Sequence, residues 1–333
     1  MTASGGWLLD DSARRLILHG VNLGGSSKVP TSPNGATHLR PGFYDHRSVS
    51  FIDRPFPIRD ADSHFKRIRE WGLSLVRLLV TWEAVEHAGP KEYDEEYLDF
   101  IEAIAAKAAD HNLRIVVDFH QDCWSRFSGG DGAPGWTLEL IGMDPRLVDE
   151  TGAAITHQYH TVPYEKMIWS TNARKLAAST MFTLFFAGRD FAPRLLVGGR
   201  SVQDFLQEHY LAALKRLTER LGRYPNVIAV DPMNEPLAGF IGQKDLSEVP
   251  GEPRIGAIPT PLESMALASG IPQAVSHYGF GATGSRRRGR QLLNPSGKSL
   301  WHSDFGCPWL RHGVWDLDEH GRPRLLRPDY FCS

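Results

Sequence analysis

The chain has 333 residues, 37 Lys+Arg against 39 Asp+Glu, a net charge of −2 and 41% hydrophobic content. That length is ample for a packed core, the composition excludes global disorder, and the near-neutral charge argues against dedicated nucleic-acid binding. No run approaches the roughly 18 apolar residues of a membrane helix, and residues 1–9 lack the basic and apolar parts of a secretory signal. Three widely spaced cysteines, Cys123, Cys307 and Cys332, suit reduced thiols rather than a disulfide framework. The expectation is a cytoplasmic enzyme or binding protein of unknown oligomeric state.

In chain order, Trp7–Leu9 and residues 15–21 read as extended segments joined by the turn-prone Asp10-Asp11-Ser12. The second ends at Asn22, ahead of Gly24-Gly25-Ser26-Ser27. Residues 61–71 place Phe65, Ile68 and Trp71 at helical spacing, with Gly72 as the stop signal. Residues 73–80 form a compact apolar run with one charge, Arg77, the pattern of a buried parallel strand. Leu98, Ile101, Ile104 and Ala108 make one stripe of a helix over 94–111. Arg114–His120 is a third strand of the sheet. After a long insertion, residues 205–221 form an amphipathic helix, and 227–230 a fourth strand ending in Asp231-Pro232-Met233-Asn234-Glu235-Pro236.

Strand alternating with helix gives a parallel sheet covered by helices. Four of its strand ends turn polar abruptly: Asn22, Arg77, His120 with Asp122, and Asn234 with Glu235. Parallel strands gather those ends on one face, where barrel enzymes keep their chemistry. A doubly wound sheet would gather them too, but Gly20-Val21-Asn22-Leu23-Gly24-Gly25 is not the Gly-x-Gly-x-x-Gly loop of such folds. A (β/α)8 TIM barrel is therefore expected. From Pro236 to Ser333, 13 Gly and 10 Pro in 98 residues leave no room for four more strand–helix units. Only strands 1–4 are expected: a single incomplete domain over 1–333, with a half-barrel at 1–236 and a loop-rich insertion at 237–333. One hairpin is expected within the insertion, around Glu319-His320-Gly321-Arg322.

Asn234-Glu235-Pro236 is the sharpest chemical feature. A carboxylate just past a buried strand, with a proline after it favouring extended backbone, points into a cleft. Burial there would raise its pKa toward the range useful for proton donation. The neighbouring amide can both donate to and accept from a sugar hydroxyl. A plain helix cap would also place a Glu here, but not beside Arg77 and His120.

These residues, in this order, resemble glycoside hydrolase family 5, the (β/α)8 retaining glycosidases. Within it the similarity is to the endoglycoceramidase-related subgroup that includes the steryl-β-glucosidases. The stretches that carry it are 15–22, 56–71, 76–97 and 119–136, the last with His120-Gln121-Asp122, Trp124-Ser125-Arg126-Phe127 and Gly129-Gly130-Asp131-Gly132-Ala133-Pro134-Gly135-Trp136, followed by Met233-Asn234-Glu235-Pro236. The resemblance implies Glu235 as general acid/base and Asn234 as the partner of the sugar 2-hydroxyl. It implies Arg77 as the cation beside the nucleophile, and His120 as a wall of the sugar site. Lys28 and Asp122 would contact glucosyl hydroxyls, and Trp136 would bind substrate. No cofactor and no metal are implied.

A retaining enzyme needs a second carboxyl about 5–5.5 Å from the first. In the family this is a Glu ending strand seven. The downstream carboxylates Asp245, Glu248, Glu252, Glu263, Asp304, Asp316, Asp318, Glu319 and Asp329 all lack a preceding buried strand. The expected activity is hydrolysis of a glucosylated lipid, a steryl β-glucoside first. Two alternatives stay open: a glucosylceramide-type substrate, and a truncated, catalytically silent half-barrel. Metal-dependent hydrolysis finds no His-x-His or His-Glu-x-x-His to support it. His157 and His160 read as surface residues. Trp124, Phe127, Trp136, Trp169, Phe182, Phe185 and Phe186 divide between an aglycone site and the core. Arg286-Arg287-Arg288-Gly289-Arg290 could meet acidic lipid headgroups, making peripheral membrane contact a possible partner interaction, or it is a solvated loop.

Overall fold

The computed structural model describes residues 2–159, 171–249, 251 and 253–332. Its centre is a four-stranded parallel sheet of β1 (Gly20–Leu23), β2 (Leu75–Thr81), β3 (Arg114–His120) and β4 (Val227–Asp231), in strict sequence order. The register sets Asn22 beside Arg77, Thr81 beside His120, and Asp118 beside Asp231. A doubly wound sheet reverses its strand order at a switch point. This sheet only adds strands outward, as a barrel does.

Helix α1 (Ala61–Glu70) buries Phe65 and Ile68, whereas Trp71, expected on the same stripe, is 66% exposed. Trp71 caps the helix, and Gly72 follows at φ +79°, so the chain leaves the helical line there and the indole swings outward. The short α2 (Trp82–Glu86) continues from β2, capped by the Thr81 hydroxyl, which accepts from Ala84 N–H. Helix α3 (Glu95–Asp110) is N-capped by Asp94 and buries the expected stripe of Leu98, Ile101, Ile104 and Ala108. Helices α4 (Leu176–Phe191) and α5 (Val202–Leu221) complete the layer; 182 and 185 of α4 are buried, while Phe186 is exposed.

The fourth strand departs from expectation. β2 and β3 are buried along their C-terminal halves, but β4 is half-exposed, with Val230 39% open. One side of β4 pairs with β3 and the other with no described strand. The region after Pro236 also differs from the long loops expected. It forms an antiparallel sheet of β5 (Gly256–Ile258), β6 (Gln273–Gly281) and β7 (Gly284–Leu293). Helix α6 (Pro261–Ala268) is closed by a Thr260–Glu263 capping box with proline in its first turn. The expected hairpin is present as β8 (Trp315–Leu317) and β9 (Pro323–Leu325). Phe240 stacks on Phe331, Trp309 meets both edge-on, and Phe331 packs edge-on against Phe191, so this region shares the core of the first 236 residues.

Candidate active site

Arg77 projects from β2 to the ends of β3 and β4. Its guanidinium lies 3.0 Å from Asp118 Oδ2 and 3.3 Å from Asp231 Oδ2, and it donates to Asn234 Oδ1 at 2.8 Å. Asn234 in turn donates to the Gln121 carbonyl at 3.0 Å and to Asp122 Oδ1 at 3.4 Å. Both ends of the Asn234 amide are thus fixed. Gln121 returns the contact, donating through Nε2 to the carbonyls of Asn234 at 2.6 Å and Glu235 at 3.1 Å.

That clamp changes the expected backbone. Glu235 takes φ +38°, in the left-handed region, rather than the extended conformation favoured before Pro236. Non-glycine residues there cost on the order of 1–3 kcal/mol and persist only where neighbours over-determine them. The two Gln121 hydrogen bonds supply that constraint. The Glu235 side chain is exposed, not buried, because β4 is covered on one side only.

A second, buried cluster surrounds His120. Its Nδ1 is 2.7 Å from Asp118 Oδ2, and its Nε2 is 3.3 Å from Asp122 Oδ2. Lys28, ending the turn Gly25–Lys28, hydrogen-bonds Asp122 and lies 3.3 Å from Asp131 Oδ2. Burial disfavours the imidazolium, yet the carboxylates of Asp118 and Asp122 outweigh it and carry His120 up to about 9. Burial likewise opposes ionisation of Asp122, but His120 and Lys28 hold it well below the usual carboxylate range. Asp131 goes the other way. Burial dominates over the pull of Lys28 and His120, pushing it up to about 7. His120, Asp122 and Asp131 offer ligand atoms within 4.8 Å of one another. The Lys28 ammonium already bridges the two carboxylates, so the protein itself supplies the cation such a group would call for.

The loop from Gln121 to Gly132 is held for this purpose. Asp122 and Asp131 exchange backbone hydrogen bonds of 3.0 and 2.8 Å. Gly130 is required by the fold, because a Cβ there would lie 1.6 Å from the Asp122 carbonyl oxygen. Beneath the loop, Arg126 donates through Nε to both oxygens of Glu83, at 2.9 and 3.0 Å, with both side chains buried. Its other nitrogens donate to the carbonyls of Phe43 and Asp45.

Residues 48–244 match the family described as cellulase (glycosyl hydrolase family 5). The chain belongs to glycosyl hydrolase family 5. It is 46% identical to a glucosylceramidase of Rhizopus delemar over 99% of its own length and 49% of the relative's. It is 36% identical to an ergosteryl-beta-glucosidase of Saccharomyces cerevisiae, covering 98% of itself and 49% of that protein. The crystal structure of Cryptococcus neoformans sterylglucosidase 1 superposes with a TM-score of 0.90 at 39% identity, over 98% of this chain and 50% of that one. The chain therefore spans about half the length of the relatives it matches. The family 5 membership and these structures give a TIM-barrel-type fold, in keeping with the parallel sheet.

Five of the seven expected site residues, Glu235, Asn234, His120, Lys28 and Asp122, lie at the ends of β1–β4 or in the loops after them; Arg77, expected at a strand end, sits inside β2 and joins them through its long side chain, which reaches Asn234 and Asp118. Trp136 is not with them. It is 3% exposed, packs edge-on against Trp82, and donates its indole N–H to the Glu86 carbonyl at 2.8 Å, which makes it a core residue. Trp124, Phe127, Phe182 and Phe185 are also buried, while Trp169 and His160 lie outside the described residues. His157 Nδ1 shares a 2.8 Å hydrogen bond with Thr37. Of the downstream carboxylates, Asp245, Glu263 and Asp318 are engaged in local turns and caps, and Glu252 lies outside the described residues. Asp118, Gln121 and Asp131 were not expected as site residues. Asp131 had a visible signal: an acid flanked by three glycines, where the backbone must crowd something.

Proposed function

We propose that this chain supplies the acid/base side of a retaining β-glycosidase acting on a glucosylated lipid, and that β1–β4 are the first four strands of an eight-stranded barrel. The observation that carries the reading is Asn234, fixed at both ends by Arg77, Gln121 and Asp122 immediately beside Glu235. Glu235 protonates the glycosidic oxygen as the aglycone leaves. It then takes a proton from the water that attacks the anomeric carbon of the covalent intermediate. His120, Asp122 and Lys28 offer charged donors and acceptors to sugar hydroxyls, and Arg77 favours an ionised nucleophile. The similarity to sterylglucosidase 1 supports a steryl β-glucoside as substrate, and the glucosylceramidase relatives keep glucosylceramide as the second candidate.

A second reading has its own support: Glu235 is exposed beside an unpaired strand edge, so the chain by itself is catalytically silent. One experiment separates the two. The chain is assayed alone on both glucolipids, and again fused to the part of the Rhizopus delemar relative that it does not match. Glucose release by the fusion alone, lost by about 10²–10⁴-fold in Glu235→Gln, supports both the acid/base role and the half-site. Undiminished turnover in Glu235→Gln overturns the acid/base role. Robust hydrolysis by residues 1–333 alone overturns the silent half-site.

A further inference from the structure

The basic run of residues 286–290 is not a loop but part of a long, exposed strand. β7 pairs antiparallel with β6 over nine register positions, and the pair projects with residues 286–292 all exposed. Ser276, Tyr278 and Phe280 alternate onto one face, and their partners across the ladder, Arg290, Arg287 and Ser285, share that face. A register shift at His277/Tyr278 leaves Arg288 outside the ladder, and its guanidinium lies over Gly279 on the opposite face. Arginines therefore project from both faces of the ribbon. Arg286, Arg287 and Arg288 form no ion pair with any described carboxylate. Beyond them, the tip Gly281-Ala282-Thr283-Gly284 carries no charge, and Phe280 beside it is 52% exposed.

We propose that this hairpin docks the protein on an anionic lipid bilayer, the tip and Phe280 entering the headgroup region while Arg286, Arg287 and Arg288 meet lipid phosphates and carboxylates. Three observations favour a bilayer over other polyanions. The charge is concentrated on one projecting ribbon of a chain whose net charge is −2. An exposed aromatic sits next to an uncharged tip, with the arginines set back from it, which is the order of groups across a membrane interface. Leu292, 56% exposed, adds a second apolar side chain on the face that carries Phe280, six register positions toward the base of the ribbon. Each arginine near an anionic surface contributes roughly five-fold to partitioning, so three contribute on the order of 100-fold.

The test is co-sedimentation of the 333-residue chain with vesicles that contain no glycolipid, so the outcome is read independently of hydrolysis. Phosphatidylcholine vesicles are compared with equimolar phosphatidylcholine and phosphatidylserine, and poly(U) serves as a competing polyanion. Binding to the anionic vesicles alone is expected, weakened by more than about 100-fold in R286E/R287E/R288E, since each substitution removes an attraction and adds a repulsion. It should be kept in the matching lysine variant, which also shows that the hairpin tolerates substitution, and fall several-fold in Phe280→Ser. Equal binding to both vesicle types, full binding by the glutamate variant, or preference for poly(U) over anionic vesicles overturns the proposal. None of those outcomes touches the glycosidase reading.

Discussion

The ends of β3 and β4 lie side by side in one sheet, yet their chemistry differs. The loop after β3 is enclosed: His120 and Asp131 are buried, Lys28 reaches in from the loop after β1, and Arg126 with Glu83 underpins it. The turn after β4 is open, with Asn234 buried and Glu235 exposed one residue later. The contrast teaches that the buried polar groups after β3 are organised by neighbours already in this chain, whereas the environment of the proposed proton donor depends on what covers the far side of β4. One of the two strand ends is enclosed and the other is open.

The largest expected effect tests whether the enclosed side is as self-sufficient as it looks. Glu83→Ala leaves the Arg126 guanidinium buried without its counter-charge, which should cost about 3–5 kcal/mol in urea denaturation. Glu83→Gln keeps an acceptor for Arg126 and should cost less. A loss under about 1 kcal/mol in Glu83→Ala would show that the enclosed loop is held by something else.

Next in size is the pH dependence of the buried cluster. Asp131 is raised from its ordinary value to about 7, so the folded state holds its proton while the unfolded chain has lost it. Its contribution to stability is full below an unfolded pKa near 4 and declines as pH rises through about 7. His120, raised to about 9, adds stability below its ordinary value near 6.5 that is lost as pH rises through about 9. Asp122, lowered, acts in the opposite sense, its stabilisation disappearing only as pH falls below about 4. Stability should therefore decline steadily from pH 4 to 9, by about 4 kcal/mol from Asp131. Asp131→Asn should flatten the part below pH 7 and reduce, without abolishing, the His120 part, because Asp131 helps hold His120 up while Asp118 and Asp122 remain. An unchanged profile in that variant would mean that Asp131 is ionised throughout and that burial does not govern it.

Much of this was legible in sequence. The helix stripe Leu98, Ile101, Ile104 and Ala108, and the strand Arg114–His120, follow from periodicity alone, because burial on one or both faces imposes it. The convergence of Asn234 and His120 follows from parallel strands ending on one face, whereas Arg77 lies inside β2 and reaches them only through its side chain. What escaped depends on contacts between distant residues. β6 and β7 mix glycine and arginine, and backbone pairing rather than apolar alternation holds them. The Thr260-Pro261-Leu262-Glu263 capping box was readable but was masked by the density of glycine and proline around it. Trp136 looked like a substrate platform beside a conspicuous loop, yet its indole is spent on the Glu86 carbonyl. Glu235 was expected to be buried because its strand was read as buried, and an apolar run alone does not say whether a further neighbour covers it.

The smallest effect gives the sharpest form of the comparison. Val117 and Val230 are register partners across β3 and β4, chemically identical, with Val117 at 0% and Val230 at 39% exposure. Val117→Ala should cost roughly 2 kcal/mol, since it removes buried methyls and leaves a cavity. Val230→Ala should stay within about 0.5 kcal/mol, as at other open positions. The same pair measured in the fusion with the unmatched part of the Rhizopus delemar relative distinguishes two accounts of β4. If that part covers the strand, Val230→Ala becomes about as costly as Val117→Ala, and Glu235 loses its solvent with it. If Val230 remains insensitive, β4 is a true edge of the sheet, and the acid at its end works in water or not at all.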